Sequence, residues 1–329
     1  MKTTPILAVL IAIAGLAASP ASAAPRPVEI AVRGPDGPIA GTLLIADPLD
    51  APVVLILPGS GPTDRDGNSP AGVSAASYRL LAEALAAKGI SSARADKRGI
   101  AGSRAATTNP NQVTIDDYAA DALAWTKALR DKTGARCIWL AGHSEGGLVA
   151  LTAAASPDVC GIILIATAGR TLDVVMREQL AANPANAPLM ADANRAIDAL
   201  AAGQHVDVTT MHPALAQGLF NPAIQDYLID LFHRDPVKLI AQTAKPVLIV
   251  SGLADMQVSR VDAEALGAAR PDARLLLIAG MTHTLKQIAG EGRVANIATY
   301  SDPTLPIDVT LVDAIAAFVG APPRGEPRP

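Results

Sequence analysis

Residues 136–150, Arg-Cys-Ile-Trp-Leu-Ala-Gly-His-Ser-Glu-Gly-Gly-Leu-Val-Ala, constrain this chain more than any other stretch. An apolar run over 137–141 breaks at Gly142, and Ser144 stands between Gly142 and Gly146. An apolar helical pattern then opens with Leu148, Val149 and Leu151. Strand, tight turn and helix in that order put one serine at the tip of the turn, and glycines two before and two after remove side chains that would collide with it.

A serine hydroxyl becomes a nucleophile when a base takes its proton, so it must stand clear of its own backbone and face both a histidine and a carbonyl. The same turn brings the N–H of Glu145 to a helix N-terminus, where it can stabilise a developing oxyanion. The pattern alone also fits a glycine-rich β–α turn in any parallel-sheet protein, so its surroundings must decide.

Runs at 28–32 and 39–45, joined through Gly34-Pro35-Asp36-Gly37-Pro38, predict a β-hairpin. Further strands are expected at 53–57, 90–95, 137–141, 161–166, 246–250 and 274–278. Helical periods fall over 74–88, 115–129, the segment after Ser144, about 259–269 and about 308–319. A fully apolar run such as 53–57 suits a strand buried on both faces of a parallel sheet. Strand–helix alternation with right-handed crossovers predicts an α/β fold, a mostly parallel sheet of about eight strands flanked by helices. From 168 to 242 the alternation stops, leaving helical patterns broken by Pro184, Pro188, Pro213, Pro222 and Pro236. The expected organisation is a core in two parts, 24–167 and 243–320, a helical insertion over 168–242, and a proline-rich disordered tail over 321–329.

Lys2, the apolar stretch 5–16 and Ala21-Ser22-Ala23 read as a secretory leader over 1–23, too short to anchor in a membrane. The expected location is periplasmic or secreted. A net charge of −4 gives no reason to expect nucleic acid or an anionic membrane as partner. Two cysteines, Cys137 and Cys160, exclude a disulfide scaffold and a cysteine-based zinc site. Each opens an apolar run. In an oxidising compartment they pair if those strands are neighbours, and otherwise they stay buried thiols.

Ligands of such sheets gather at the carboxyl ends of strands. Ser60, Ser144, Asp255 and His283 each follow a predicted strand. Of the five histidines, His143 adjoins Ser144 and must point away from the attacking hydroxyl, while His205, His212 and His233 lie in the insertion. Only His283 follows Asp255, as the order serine, acid, histidine requires. Asp255 sits on a glycine-containing turn from which it can accept the Nδ1 proton of His283. Asp262, within a helix, and Asp272, before a strand, are weaker candidates. The N–H groups of Ser60 and Glu145 are the candidate oxyanion donors. Asp64-Arg65-Asp66 reads as a charge network bracing the Ser60 loop.

Together these residues resemble the α/β-hydrolase superfamily, and more narrowly bacterial carboxylesterases of its esterase D-like, serine-aminopeptidase-like (S33-type) branch. The carriers are Gly-Ser-Gly-Pro-x-Asp-Arg-Asp-Gly-Asn at 59–68, Asp-x-Arg-Gly at 96–99, Gly-His-Ser-Glu-Gly-Gly at 142–147, Gly-x-x-Asp-x-Gln-Val at 252–258, and His283. One departure is Pro58, where the family often has histidine. The resemblance implies that 168–242 is a lid between the sixth and seventh strands. It also implies hydrolysis of small-molecule carboxylic esters with no metal or organic cofactor. Two other functions stay open. An aminopeptidase or amidase needs an insertion carboxylate for the substrate amine, for which Asp173, Glu178, Asp192 and Asp198 are available. An exported binding protein on the same fold would normally have lost the serine or the histidine. Leu180, Leu189, Met190, Leu219, Phe220, Leu228 and Phe232 either line an acyl pocket or form the insertion's own core.

Overall fold

The computed structural model describes residues 25–48, 51–290 and 292–320; the expected leader (1–23) and tail (321–329) lie outside them. The strands are β1 (Arg26–Arg33), β2 (Pro38–Ile45), β3 (Val53–Leu57), β4 (Ser91–Ala95), β5 (Ile138–His143), β6 (Val159–Ile165), β7 (Val247–Gly252) and β8 (Arg274–Ile278). They form one sheet in the order β1-β2-β4-β3-β5-β6-β7-β8. β1 and β2 are the expected hairpin, β2 lies antiparallel to β4, and every later pairing is parallel.

The helices are α1 (Ser77–Ala86), α2 (Ile115–Thr133), α3 (Glu145–Ala153), α4 (Leu172–Ala181), α5 (Met190–Ala201), α6 (Gln225–Phe232), α7 (Pro236–Gln242), α8 (Arg260–Ala269), α9 (Gly292–Ala298) and α10 (Val309–Val319). The two-residue period of the strands divides the core between the faces of the sheet. Val53, Leu55, Leu57, Leu140, Ile162, Leu164, Val247 and Ile249 join a cluster with α2, α3 and α8. Their neighbours Val54, Ile56, Ala141, Ile163, Ile165, Leu248 and Val250 join a second with α1 and α10. This double burial is why the central strands read as unbroken apolar runs rather than alternating ones.

Element ends differ from the sequence reading for local reasons. α1 begins at Ser77 because Ala76, at φ 53°, interrupts the helical backbone expected from 74. α2 starts on the Thr114–Asp117 capping box and continues to Thr133, where Gly134 at φ 75° closes it. α9 falls in a segment with no helical assignment from sequence.

Helices α4 to α7 occupy the chain between β6 and β7. Of the apolar residues in this segment, Ile197, Leu200, Phe220, Leu228 and Phe232 are buried in the larger cluster, with Leu180, Leu189 and Leu219 packed partly against it. Fully buried Asp262 on α8 holds the entrance to this segment. Its Oδ1 accepts the N–H groups of Gly169 and Arg170, and both oxygens take the Arg170 guanidinium. Among the described residues no helix is long and apolar enough to cross a membrane.

Pairing of Ile138 with Val159 brings Cys137 beside Cys160, and the two form a disulfide with a Cα–Cα distance of 5.1 Å. It ties the strand that carries Ser144 to its neighbour across a sequence separation of 23. Closing a loop of that length stabilises the fold by about 3 kcal/mol in the chain-entropy account. A Cys137→Ala/Cys160→Ala variant should lose about that much in a urea unfolding series; an unchanged midpoint and slope would count against the crosslink.

Candidate active site

Ser144 stands between β5 and α3 at φ 54°, ψ −120°, a conformation that costs a non-glycine residue about 1–3 kcal/mol. Close packing holds it there. A Cβ on Gly142 would lie 2.1 Å from the Gly146 carbonyl oxygen, and one on Gly146 would lie 2.3 Å from that of Leu57. Only glycine lets the helix start so near the strand ends. The Ser144 N–H donates to the Ile165 carbonyl at 2.9 Å, and its own carbonyl accepts from Gly147 at 3.0 Å.

Asp255, on the turn after β7, accepts from the His283 ring, Nδ1 to Oδ2, at 2.8 Å. Its side chain is fully buried, and Oδ1 takes the N–H groups of Gln257 and Val258 at 2.7 and 3.0 Å. Burial pushes this carboxyl up, but the His283 charge and ring bond, with the two amides, outweigh burial and hold it below the usual carboxylate range. A carboxylate only accepts, so Nδ1 is the donor in this bond, and in the neutral ring that leaves Nε2 as the nitrogen with the lone pair. Among the described residues Ser144 Oγ makes no hydrogen bond to that Nε2; such contacts are often long until substrate arrives. The two weaker acids go elsewhere, Asp262 to the insertion's entrance and Asp272 to Arg270 at 2.5 Å.

The sequence reading missed what His143 does. Its ring turns away from the Ser144 hydroxyl and joins a buried chain of hydrogen bonds. The Gly59 N–H donates to the Tyr78 hydroxyl (2.9 Å), which donates to His143 Nδ1 (2.8 Å), and His143 Nε2–H donates to the His283 carbonyl (2.9 Å). A carbonyl can only accept, which fixes the tautomer. The two imidazoles lie 4.6 Å apart, centroid to centroid. Burial, then the neighbouring His283, pushes the His143 pKa down to about 3, so this ring is neutral. One sequence signal pointed here, the adjacency of His143 to Ser144 at a strand end.

A second, ionic network flanks the turn. Glu145 accepts from Lys97 Nζ at 2.9 Å, from Ser60 Oγ at 2.8 Å and from the hydroxyl of Tyr227 on α6. Lys97 Nζ also donates to the Gly59 carbonyl at 3.2 Å. Burial raises the Glu145 carboxyl, but Lys97 and the bonds from Tyr227 and Ser60 outweigh it, and the net direction is down. Lys97 is likewise held above its usual value by Glu145 despite burial, so the pair is charged. The backbone N–H groups of Ser60 and Glu145 have no acceptor among the described residues. Neither Lys97 nor Tyr227 stood out in the sequence as part of this site.

The Asp64-Arg65-Asp66 cluster braces the loop. Arg65 bonds Asp96, Glu29 and Thr42, Asp66 pairs with Arg94, and Asp64 Oδ1 takes the N–H groups of Asp66 and Asn68. A cavity of about 40 Å³, lined by Pro58, Lys97, Tyr118, Trp125, Glu145 and Val149, lies beside the ionic network and is bordered by neither Ser144 nor His283. The three insertion histidines bond within the insertion, His205 to Asp226, His212 to Ala214 and His233 to Ile229. Among the described residues no three histidine, cysteine, aspartate or glutamate side chains converge as a metal site requires.

A family model described as serine aminopeptidase, S33, matches residues 71–287. Over 280 residues the chain is 25% identical to Esterase EstD of Thermotoga maritima, covering 82% of this chain but only 62% of that protein's length. Solved structures with the same fold include Est1E from Butyrivibrio proteoclasticus with ferulic acid bound, at 17% identity and TM-score 0.55, covering 89% of this chain and all (100%) of that one. A thermophilic esterase from Thermogutta terrifontis superposes at 18% identity and TM-score 0.52 over 89% of this chain and 98% of its own. A puromycin-hydrolyzing peptidase of Mycobacterium tuberculosis matches at 18% identity and TM-score 0.55, with 90% of this chain but 40% of that one covered.

The neutral His143 makes stability depend on acid. Its pKa is pushed down to about 3 in the fold against an ordinary imidazole value of 6.5, so below pH 6.5 the unfolded chain takes up the proton first. Its contribution, complete above pH 6.5, is lost at about 1.4 kcal/mol per pH unit as the pH falls toward 3. In urea unfolding at pH 6, 5 and 4 the parent should lose about that much more stability per pH unit than His143→Gln; equal slopes for both proteins would contradict a neutral ring.

Proposed function

Since the chain belongs to the serine aminopeptidase, S33, family of α/β hydrolases, we propose that it cleaves carboxylic esters through an acyl-enzyme on Ser144. The observation that carries this reading is the Asp255–His283 pair, which leaves His283 Nε2 as a base on the rim where Ser144 stands. In the mechanism His283 takes the Ser144 proton and Oγ attacks the acyl carbonyl, while the amides of Ser60 and Glu145 receive the oxyanion. Collapse expels the alcohol with the proton from His283. Water, deprotonated by the same ring, then attacks the acyl-enzyme and releases the acid.

The insertion's carboxylates favour esters over substrates with a free amine. Glu178 is held by Arg170 at 2.7 Å, Asp192 by Arg195 at 2.8 Å and Asp198 by Arg177 at 2.5 Å. Three of the four candidates therefore already have a guanidinium partner, which leaves Asp173 to meet an amine. EstD is named an esterase, and the likeness supports the same preference here. The helices between β6 and β7 act in this reading as a lid over the acyl group. The leader-like stretch 1–23 and the Cys137–Cys160 disulfide both suit an exported protein in an oxidising compartment.

Ser144→Ala should abolish p-nitrophenyl acetate and butyrate turnover while the circular dichroism spectrum is unchanged, and turnover retained in that variant would refute the assignment. Asp255→Asn should lower kcat by roughly 10³- to 10⁴-fold through the wrong His283 tautomer. An aminoacyl amide, assayed beside the esters, should be the poorer substrate by kcat/KM; the reverse ranking would favour the peptidase reading.

A further inference from the structure

Three residues of the Asp96-Lys97-Arg98 turn after β4 behave differently. Asp96 holds Arg65, and Arg98 pairs with Asp117 and Asp121 on α2, so both brace the scaffold. Lys97 alone turns toward the catalytic rim, and the mechanism above gives it no task. Its side chain is 6% exposed, and an ammonium so far from water must engage its protons within the protein. Nζ donates to Glu145 Oε1 at 2.9 Å and to the Gly59 carbonyl at 3.2 Å, and it sits 4.4 Å from the Tyr118 ring centroid. With three protons and three partners, Lys97 has none left for substrate.

The Gly59 carbonyl is the informative partner. It belongs to the same peptide unit as the Ser60 N–H, one of the two oxyanion donors. The one cis bond among the described residues is Asp47–Pro48, so this peptide is trans and its C=O and N–H point in opposite directions. A cation holding the oxygen therefore aims the N–H away from itself. Drawing charge onto the oxygen also makes the N–H a stronger donor, because hydrogen bonds in series polarise one another. Glycine at 59 restricts this peptide's orientation less than any other residue would, and the Tyr78 hydroxyl holds the N–H before it rather than this carbonyl. The counter-ion of Lys97 is Glu145, whose backbone supplies the other donor and whose carboxylate also takes the Ser60 hydroxyl. Left unpaired, that carboxylate would oppose an oxyanion forming beside it.

We propose that Lys97 is a positioning residue of the oxyanion hole, gripping the Gly59 carbonyl so that the Ser60 N–H points at the tetrahedral intermediate, with Glu145 as the counter-ion linking both donors. The role rests on the ester-hydrolysis reading and assigns the lysine no proton transfer. Lys97→Met should lower kcat by roughly 10- to 100-fold, less than or equal to the loss of one oxyanion donor, with KM within about 3-fold. Affinity for a trifluoromethyl ketone, which forms a tetrahedral adduct, should fall by the same factor, while affinity for the alcohol product stays constant. A defect confined to folding would not separate those two ligands.

Lys97→Met leaves Glu145 without its cation and can fail to fold, so the neutral pair Lys97→Met/Glu145→Gln is measured beside it. The double variant should keep the kcat deficit and the loss of ketone affinity. A double variant with the parent kcat, or parent ketone affinity in either folded variant, would overturn the proposal. Ser144→Ala run in parallel separates the two levels: turnover surviving there removes the hydrolase reading, whereas loss there with normal Lys97→Met kinetics removes only the role of the lysine.

Discussion

The distance between the end of β5 and the start of α3 is the constraint on which the rest of this site depends. Ser144 must leave the strand and enter the helix within one residue, in a backbone conformation that side-chain-bearing residues avoid. The turn survives because its surroundings leave no alternative. Gly146 lies against the Leu57 carbonyl, Gly142 against Gly146, and Ser144 bonds β6 through Ile165. Strain of about 1–3 kcal/mol is affordable where several strand ends fix the same few atoms. In return the hydroxyl and the Glu145 N–H both face the carboxyl edge of the sheet.

Two polar networks then meet on the Gly59 peptides. One is neutral and runs from the Gly59 N–H through Tyr78 and His143 to the His283 carbonyl. The other is ionic and runs from the Gly59 carbonyl through Lys97 to Glu145, Ser60 and Tyr227. The first relates the loop to the segment carrying His283, and the second relates it to the turn carrying Ser144. Buried networks of this kind specify geometry when every member has a partner, and destabilise the fold when one is left alone. Tyr227 extends the ionic network to the helices between β6 and β7, so movement of α6 would be felt at Glu145.

Much of this was legible in the sequence because the signals were local or ordered along the chain. The doubly buried strands announced themselves as apolar runs. The turn at Ser144 carried its own glycines, and Asp255 and His283 each followed a strand in the required order. The structure brings Asp255 and His283 into contact and puts Ser60 beside Glu145. What escaped depends on relations between distant segments. Whether Cys137 meets Cys160 is decided by the register of β5 against β6, which neither run encodes alone. The task of His143 depends on a tyrosine from α1, and that of Lys97 on a peptide unit 38 residues earlier. A lysine in a charged turn reads as solvated surface until the fold buries it.

Ester cleavage by this chain requires Ser144 Oγ to be the atom that bonds the acyl group. Treating the protein with a fluorophosphonate, digesting it and locating the adduct by peptide mass spectrometry tests that directly. One adduct per chain on Ser144, lost when His283 is replaced by alanine, is the predicted result. No adduct, or one on another residue with Ser144 unmodified, would contradict it.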